Sequence, residues 1–182
     1  KEILFGMSIL LTHDRTVFIA DTVVNELPDA HELADIAIGA ARKVRQMGHD
    51  PRVAFLAYSN FGNPMRARAD HIREAVKVLD DHGDIDFEYE GELTADVALS
   101  KDPREMYPFN RLSKPANILI MPGLHSAHIS SKMLQHLGNG VMIGPIIVGL
   151  QKPVQILQMS SNVTQIVNLA AIAASDAISA KK

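Results

Sequence analysis

The sequence predicts an α/β domain built on a mostly parallel sheet with an antiparallel hairpin at its edge. Three observations carry this. Two β-rich runs near the start are separated only by Thr12-His13-Asp14-Arg15, a polar break of hairpin length. Strand-like and helix-like segments then alternate through the middle of the chain, the pattern of crossovers between parallel strands. A chain of 182 residues, 47% hydrophobic and 21% charged, suffices for one folded unit or two small lobes sharing a hinge.

The elements follow in order. Residues 3–11 and 16–20 are expected as two antiparallel strands. Asp29 can cap a helix, Glu32 three residues later completes a capping box, and Leu33, Ile36, Ala40, Val44 and Met47 recur at helical spacing before Gly48. Residues 52–58 read as a strand, followed by the polar turn Ser59-Asn60-Phe61-Gly62-Asn63. Asn63 and Pro64 suit the cap and first turn of a second helix, with Ile72, Val76 and Leu79 as its stripe and Gly83 as its stop.

Residues 87–93 make a further short strand, and the proline-rich stretch 100–115 an irregular loop. Residues 117–121 form a buried strand stopped by Pro122-Gly123, and the next helix carries Ile129, Met133 and Leu137. Residues 140–150 are strand-like with a bend at Gly144-Pro145. Asn162 and Gln165 form a second capping box, opening a helix through Val163, Ile166, Ala170, Ala173 and Ala177.

The formal net charge of −3, with cations scattered among acids, gives no electrostatic footprint for nucleic acid. Without cysteine there are no disulfides, thiolate metal sites or thiol nucleophiles, and a cytoplasmic address is the simplest reading. The longest stretch free of polar side chains, 140–150, is far short of a membrane span, so no membrane partner is expected. The chain opens at Lys1 directly in a strand-like run, and reads as a piece of a longer polypeptide.

In open α/β sheets ligands sit beyond the carboxyl ends of strands, which directs attention to the turns after Tyr58, after Met121 and around Gly144. Ser59 to Gly62, just before an expected helix N-terminus, suits an anion or is an ordinary capped turn. His125, His128, Lys132 and His136 can share a helix face, as a basic rim for a phosphate-bearing ligand, as metal ligands, or as a solvated face. Asp80, Asp81, Asp84 and Asp86 read as a solvated turn. Glu92 and Asp96, flanked by Leu93 and Val97, are better suited to structural hydrogen bonds than to catalysis. No P-loop glycine motif and no Gly-x-Ser-x-Gly elbow occurs.

Four segments, in order along the chain, resemble the phosphate acetyl/butyryltransferase family: Arg52 to Gly62, Tyr89 to Ala98, Val141 to Val154, and Ile166-Val167-Asn168. Within it, the Ser59-Asn60-Phe61-Gly62 loop, His125-Ser126-Ala127 and the run Val154 to Ser160 are most similar to the domain fused behind bacterial NADP-dependent malic enzymes. The resemblance implies a doubly wound, isocitrate/isopropylmalate dehydrogenase-like sheet as in phosphotransacetylases. Residues 1–155 would be the second lobe of the family fold, and 156–182 a helix returning toward a largely missing first lobe.

In acetyltransferases of this family an arginine binds the phosphoryl or acyl oxygen and an aspartate takes the coenzyme A thiol proton. Here the family's serine, arginine and aspartate positions hold Gln158, Met159 and Gln165. Glutamine cannot act as a general base, and methionine cannot neutralise an oxyanion. The resemblance therefore implies no catalytic residues and no metal site here. It implies a cleft for acetyl-CoA as allosteric inhibitor, lined by Ser59, Asn60, Gly144, Pro145, Lys152, Met159 and Asn162. It also implies homodimers within a larger homo-oligomer, with NADP and a divalent metal (Mg or Mn) held by a catalytic domain outside this chain. The alternatives are an active phosphate acetyl/butyryltransferase and a purely structural dimerisation domain.

Overall fold

A computed structural model of the chain describes residues 2–65, 67–101, 105–159 and 161–179, without the side chain of Arg68. Lys1, part of the 100–115 loop, Ser160 of the family-like run and the last residues of 156–182 lie outside the described residues. The first half holds strands β1 (Phe5–Leu11), β2 (Thr16–Ala20), β3 (Arg52–Leu56) and β4 (Glu88–Leu93) with helices α1 (Ala30–Gln46) and α2 (Asp70–His82). The second half adds α3 (Ala95–Leu99), β5 (Ile118–Ile120), α4 (Leu124–Leu137), β6 (Val141–Val148) and α5 (Val163–Ser179).

One six-stranded sheet runs in the order β4-β3-β5-β2-β1-β6. Three of its pairings are parallel, β3 with β4, β3 with β5 and β2 with β5. β1 pairs antiparallel with both β2 and β6. The expected hairpin therefore exists, but it is not the edge: β6 covers β1 on its outer side. β1 reads Phe-Gly-Met-Ser-Ile-Leu and is buried along Phe5 to Leu10. A strand that apolar on both faces belongs in the sheet interior, where layers cover both faces.

Alternate residues feed two cores. Phe18, Ala20, Val53, Phe55, Ile118 and Ile120 face α1, α2 and Leu169 of α5. Val17, Ile19, Ala54, Leu56 and Leu119 face α3 and α4, through Val97 and Ala127. That period of two, with helices over both faces, is what a parallel sheet requires.

α1 begins as expected: the Asp29 carboxylate accepts the Glu32 N–H at 2.9 Å while Glu32 accepts the Asp29 N–H at 2.9 Å. It ends before Gly48 at φ 84°. α2 does not begin at Asn63-Pro64. Asn63 instead exchanges backbone hydrogen bonds with Asn60, closing a turn, and α2 starts at Asp70 after a short 3₁₀ turn, Ala67–Ala69. The five-residue α3 was not expected, because it has too few turns to leave a periodic signal.

Two apolar stripes depart from expectation. On α4, Ile129, Met133 and Leu137 are exposed, and the residues turned inward are Ala127 and Ser131. On α5, Val163, Ile166 and Ala170 of the expected stripe are exposed while Ala173 and Ala177 are half-buried beside Leu169, Ile172 and Asp176. The outer apolar faces of both helices lack cover among the described residues. No helix among the described residues is long and apolar enough to cross a membrane.

A candidate ligand cleft at the bulged edge strand

The bend foreseen at Gly144-Pro145 is a bulge within β6. Ile146 pairs with Met7 and Ile143 with Ile9, so three steps on β6 oppose two on β1. The extra residue turns Ile143 and Ile146 toward the same core, which a regular strand could not do. Gly144 sits at φ 115°, and a Cβ there would stand 3.0 Å from both the Met7 carbonyl oxygen and the Ile146 nitrogen. Glycine is required by backbone conformation and by close approach together.

Around this bulge, between α4, the start of α5 and residues Ile156, Gln158 and Ser161, lies a cleft of about 360 Å³. Gly144 and Pro145 form part of its wall, and Ser8, Thr22, Ser131 and Lys132 also line it. The Ser8 and Thr22 hydroxyls are buried and 3.0 Å apart. Thr22 is positioned by its neighbour Asp21, whose buried carboxylate accepts the N–H groups of Gly6 (2.9 Å), Val23 (2.8 Å) and Asn25 (2.7 Å). The Lys132 ammonium donates weakly to the amide oxygens of Gln135 at 3.4 Å and Gln158 at 3.5 Å.

Gln158 and Gln165 both line this cleft. Gln165 completes the expected capping box, its side chain accepting the Asn162 N–H and its own N–H donating to Asn162 Oδ1, each at 2.9 Å. Met159, between them in the chain, is fully exposed. Asn162 serves as the helix cap, and Lys152 lines a separate cavity of about 500 Å³ between α1, the end of β6 and Asp176.

Sequence comparison decides the family. Residues 2–174 match the profile described as phosphate acetyl/butaryl transferase. The chain belongs to this phosphate acetyl/butyryl transferase family. It is 55% identical over 172 residues to an NADP-dependent malic enzyme of Rhizobium meliloti, covering 94% of this chain and 22% of that protein. To a phosphate acetyltransferase of Bacillus subtilis it is 30% identical over 178 residues, covering 95% of the chain and 54% of the relative. A phosphotransacetylase structure from Streptococcus pyogenes superposes with a TM-score of 0.91 at 32% identity, over 97% of this chain and 54% of that one. The chain thus spans about a fifth of the malic enzyme and about half of the transferases.

Within the family fold, the seven residues expected to line one cleft separate into different places. Gly144 and Pro145 lie in the cleft at the bulge, and Met159, Asn162 and Lys152 are placed as described above. Ser59 and Asn60 sit beyond the far end of the sheet, after β3. Ser59 is buried and donates to Glu92 Oε1 at 2.5 Å, while Asn60 Oδ1 accepts the Thr94 N–H at 2.7 Å.

The loop Ser59 to Gly62 does embrace an anion, but an internal one. Glu92 has no solvent exposure; its Oε1 also takes the Gly62 N–H at 3.0 Å and its Oε2 takes Arg73 Nη1 at 2.6 Å. The expectation of a helix N-terminus poised over an external ligand fails there, because α2 starts ten residues after Asn60 and Glu92 already fills the turn. The structural role expected of Glu92 holds. Asp96 accepts the Thr94 hydroxyl, which holds its carboxyl below the usual range.

The acidic turn is solvated as expected, with Asp80, Asp81, Asp84 and Asp86 all exposed, and two of them carry surface partners. Asp80 accepts from Arg111 at 2.6 Å and from Tyr89 at 2.7 Å, and Asp86 pairs with Arg45 at 2.9 Å. No three His, Asp or Glu side chains among the described residues are grouped to hold a metal ion. Of the histidine face, His128 lines the cleft and His125 does not. Ser8 and Ser131 were missed as lining residues. Ser8 alone had a signal, as the lone hydroxyl inside the apolar run of β1.

Proposed function

We propose that this domain is the non-catalytic regulatory and oligomerisation module of an NADP-dependent malic enzyme, a cytoplasmic protein performing oxidative decarboxylation of malate to pyruvate. The cleft at the β6 bulge binds acetyl-CoA as an allosteric inhibitor. NADP and a divalent metal are held by a catalytic domain outside this chain.

One observation carries the reading. The cleft persists at about 360 Å³, while the family's serine and aspartate positions on its wall are amides and its arginine position, Met159, points into solvent. A neutral amide neither removes a thiol proton nor offsets developing charge, so the family's reactive positions here can bind but cannot react. The 55% identity to a protein named as an NADP-dependent malic enzyme supports the parent assignment. An inhibitor binding with typical allosteric coupling, about 1 to 3 kcal/mol, shifts turnover roughly 5- to 150-fold.

The test is calorimetric titration of acetyl-CoA into this chain and into the longest polypeptide containing it, with malate oxidation followed in the latter. Saturable binding with falling turnover is expected; absence of binding to either polypeptide overturns the effector reading. The likeness to a phosphate acetyltransferase favours one alternative, an active phosphate acyltransferase. Acetyl-phosphate-dependent consumption of the coenzyme A thiol would establish that instead.

The uncovered stripe of Ile129, Met133 and Leu137 on α4 supports homodimer formation through this domain. A monomer at all concentrations in sedimentation equilibrium, unchanged by Met133→Glu, removes that part of the proposal.

A further inference from the structure

We infer that the second cavity, the one Lys152 lines, is a separate site for a small zwitterion of the α-amino acid type, held by its ammonium on Asp35 and by its carboxylate on Lys152. The inference goes beyond the effector reading and does not rest on it, since none of Gln158, Met159 and Gln165 lines this cavity.

The cavity holds about 500 Å³ and is walled by α1, the segment after β6 and the last turn of α5. Phe5, Ile38 and Ile147 supply apolar lining, and all three belong to or pack against buried parts of the fold. An apolar lining with a few fixed polar groups is what a small organic ligand needs. The walls are also tied together. Lys43 of α1 is buried and pairs with Asp176 of α5, so little ordering is left for a ligand to bring about.

The charges on the lining decide which ligand fits. Arg42 pairs with Glu2 and Lys43 with Asp176, which leaves Asp35 and Lys152. Among the described residues neither of these makes an ion pair or a hydrogen bond, with the other or with any third group. They stand on different walls, Asp35 on α1 and Lys152 after β6.

Acids and cations on the lining balance, so the cavity has no net field that selects an anion or a cation. A ligand with one charge would meet one of the two free groups and leave the other unmatched. A ligand bearing an ammonium and a carboxylate gives each a counter-ion through a charge-assisted bond, while its apolar body lies on Phe5, Ile38 and Ile147.

The probe is free leucine, titrated at neutral pH by calorimetry into the full chain and into the longest polypeptide containing it. Two analogues accompany it: isocaproate, which is leucine without its ammonium, and isoamylamine, which is leucine without its carboxylate. Amide chemical shifts of α1 and of residues 149–153 locate the bound probe. Asp35 and Lys152 are both exposed, and unchanged far-ultraviolet dichroism and melting temperature verify that their variants fold.

Leucine should bind saturably to both polypeptides, about tenfold or more tighter than either analogue. Lys152→Met should bring leucine down to the affinity of isoamylamine, and Asp35→Asn should bring it down to that of isocaproate. Absence of leucine binding, isocaproate bound as tightly as leucine, or leucine affinity unchanged in either variant overturns the site. Binding to this chain but not to the longer polypeptide also overturns it, by showing that the rest of the protein fills the cavity. None of these outcomes bears on acetyl-CoA at the β6 bulge.

Discussion

The carboxylate of Glu92, at the end of β4, accepts the hydroxyl of Ser59 at 2.5 Å across the first turn after β3. This one contact closes the loop that the sequence leaves open as an anion site or an ordinary capped turn. Glu92 is wholly buried, and its other oxygen holds Arg73 of α2, so three elements meet on a single side chain.

Glu92→Gln should therefore lower stability by about 2–3 kcal/mol in urea unfolding. The estimate takes the low end for breaking a buried ion pair, because Arg73 keeps Asp70 as a second partner. Acetyl-CoA affinity should change little, since Glu92 does not line the bulge cleft. Comparable stability of variant and original chain would show that the network contributes little.

Gly144→Ala should destabilise the chain by about 1–3 kcal/mol, because it places a Cβ against the Met7 carbonyl at a φ of 115°. The same change distorts the bulge that forms the cleft wall, so ligand binding should fall with stability. Thermal melting and calorimetry on one preparation check both effects.

Asp176→Ala should release the last turns of α5. Lys43 is buried in α1 and its partner is Asp176, so the substitution strands a charge. Loss of stability of about 2–4 kcal/mol is expected. Hydrogen exchange should quicken across 163–179 more than across α1, because Leu169 is then the main buried anchor of that helix.

Tyr89 sets an alkaline limit. Burial, then its hydrogen bond to Asp80 and that carboxylate's charge, push its phenol up to about 12. The folded chain thus holds this proton more tightly than the unfolded chain does. The associated stability is complete below the ordinary phenol value near 10 and is lost as pH rises toward about 12. Ultraviolet titration should show one of the three tyrosines ionising late, and Tyr89→Phe should remove that phase.

Asp80 acts at the opposite end of the scale. Burial raises its carboxyl, but the hydrogen bonds from Tyr89 and Arg111 and the charge of Arg111 outweigh this and hold it below the usual value. Its contribution is present above the ordinary carboxylate range and is lost as pH falls through its depressed value. Asp80→Asn should flatten the acid limb of stability against pH, measured by urea unfolding at stepped pH.

The sequence by itself determined whatever is local. The capping boxes of Asp29 with Glu32 and Asn162 with Gln165 form as read, because each needs only residues three apart. The strands were legible from their apolar runs, and Gly144-Pro145 marked the bulge.

Tertiary structure decided what depends on distant neighbours. Whether Ile129 on α4 or Val163 on α5 faces inward depends on what stands opposite, and periodicity marks a stripe without naming its cover. Ser59 and Glu92 are 33 residues apart in the chain, and only the pairing of β3 with β4 brings them together. The same long-range closure turns an apparent anion-binding loop into a structural knot. It also gathers Ser8, Lys132 and Gln158 around one cleft.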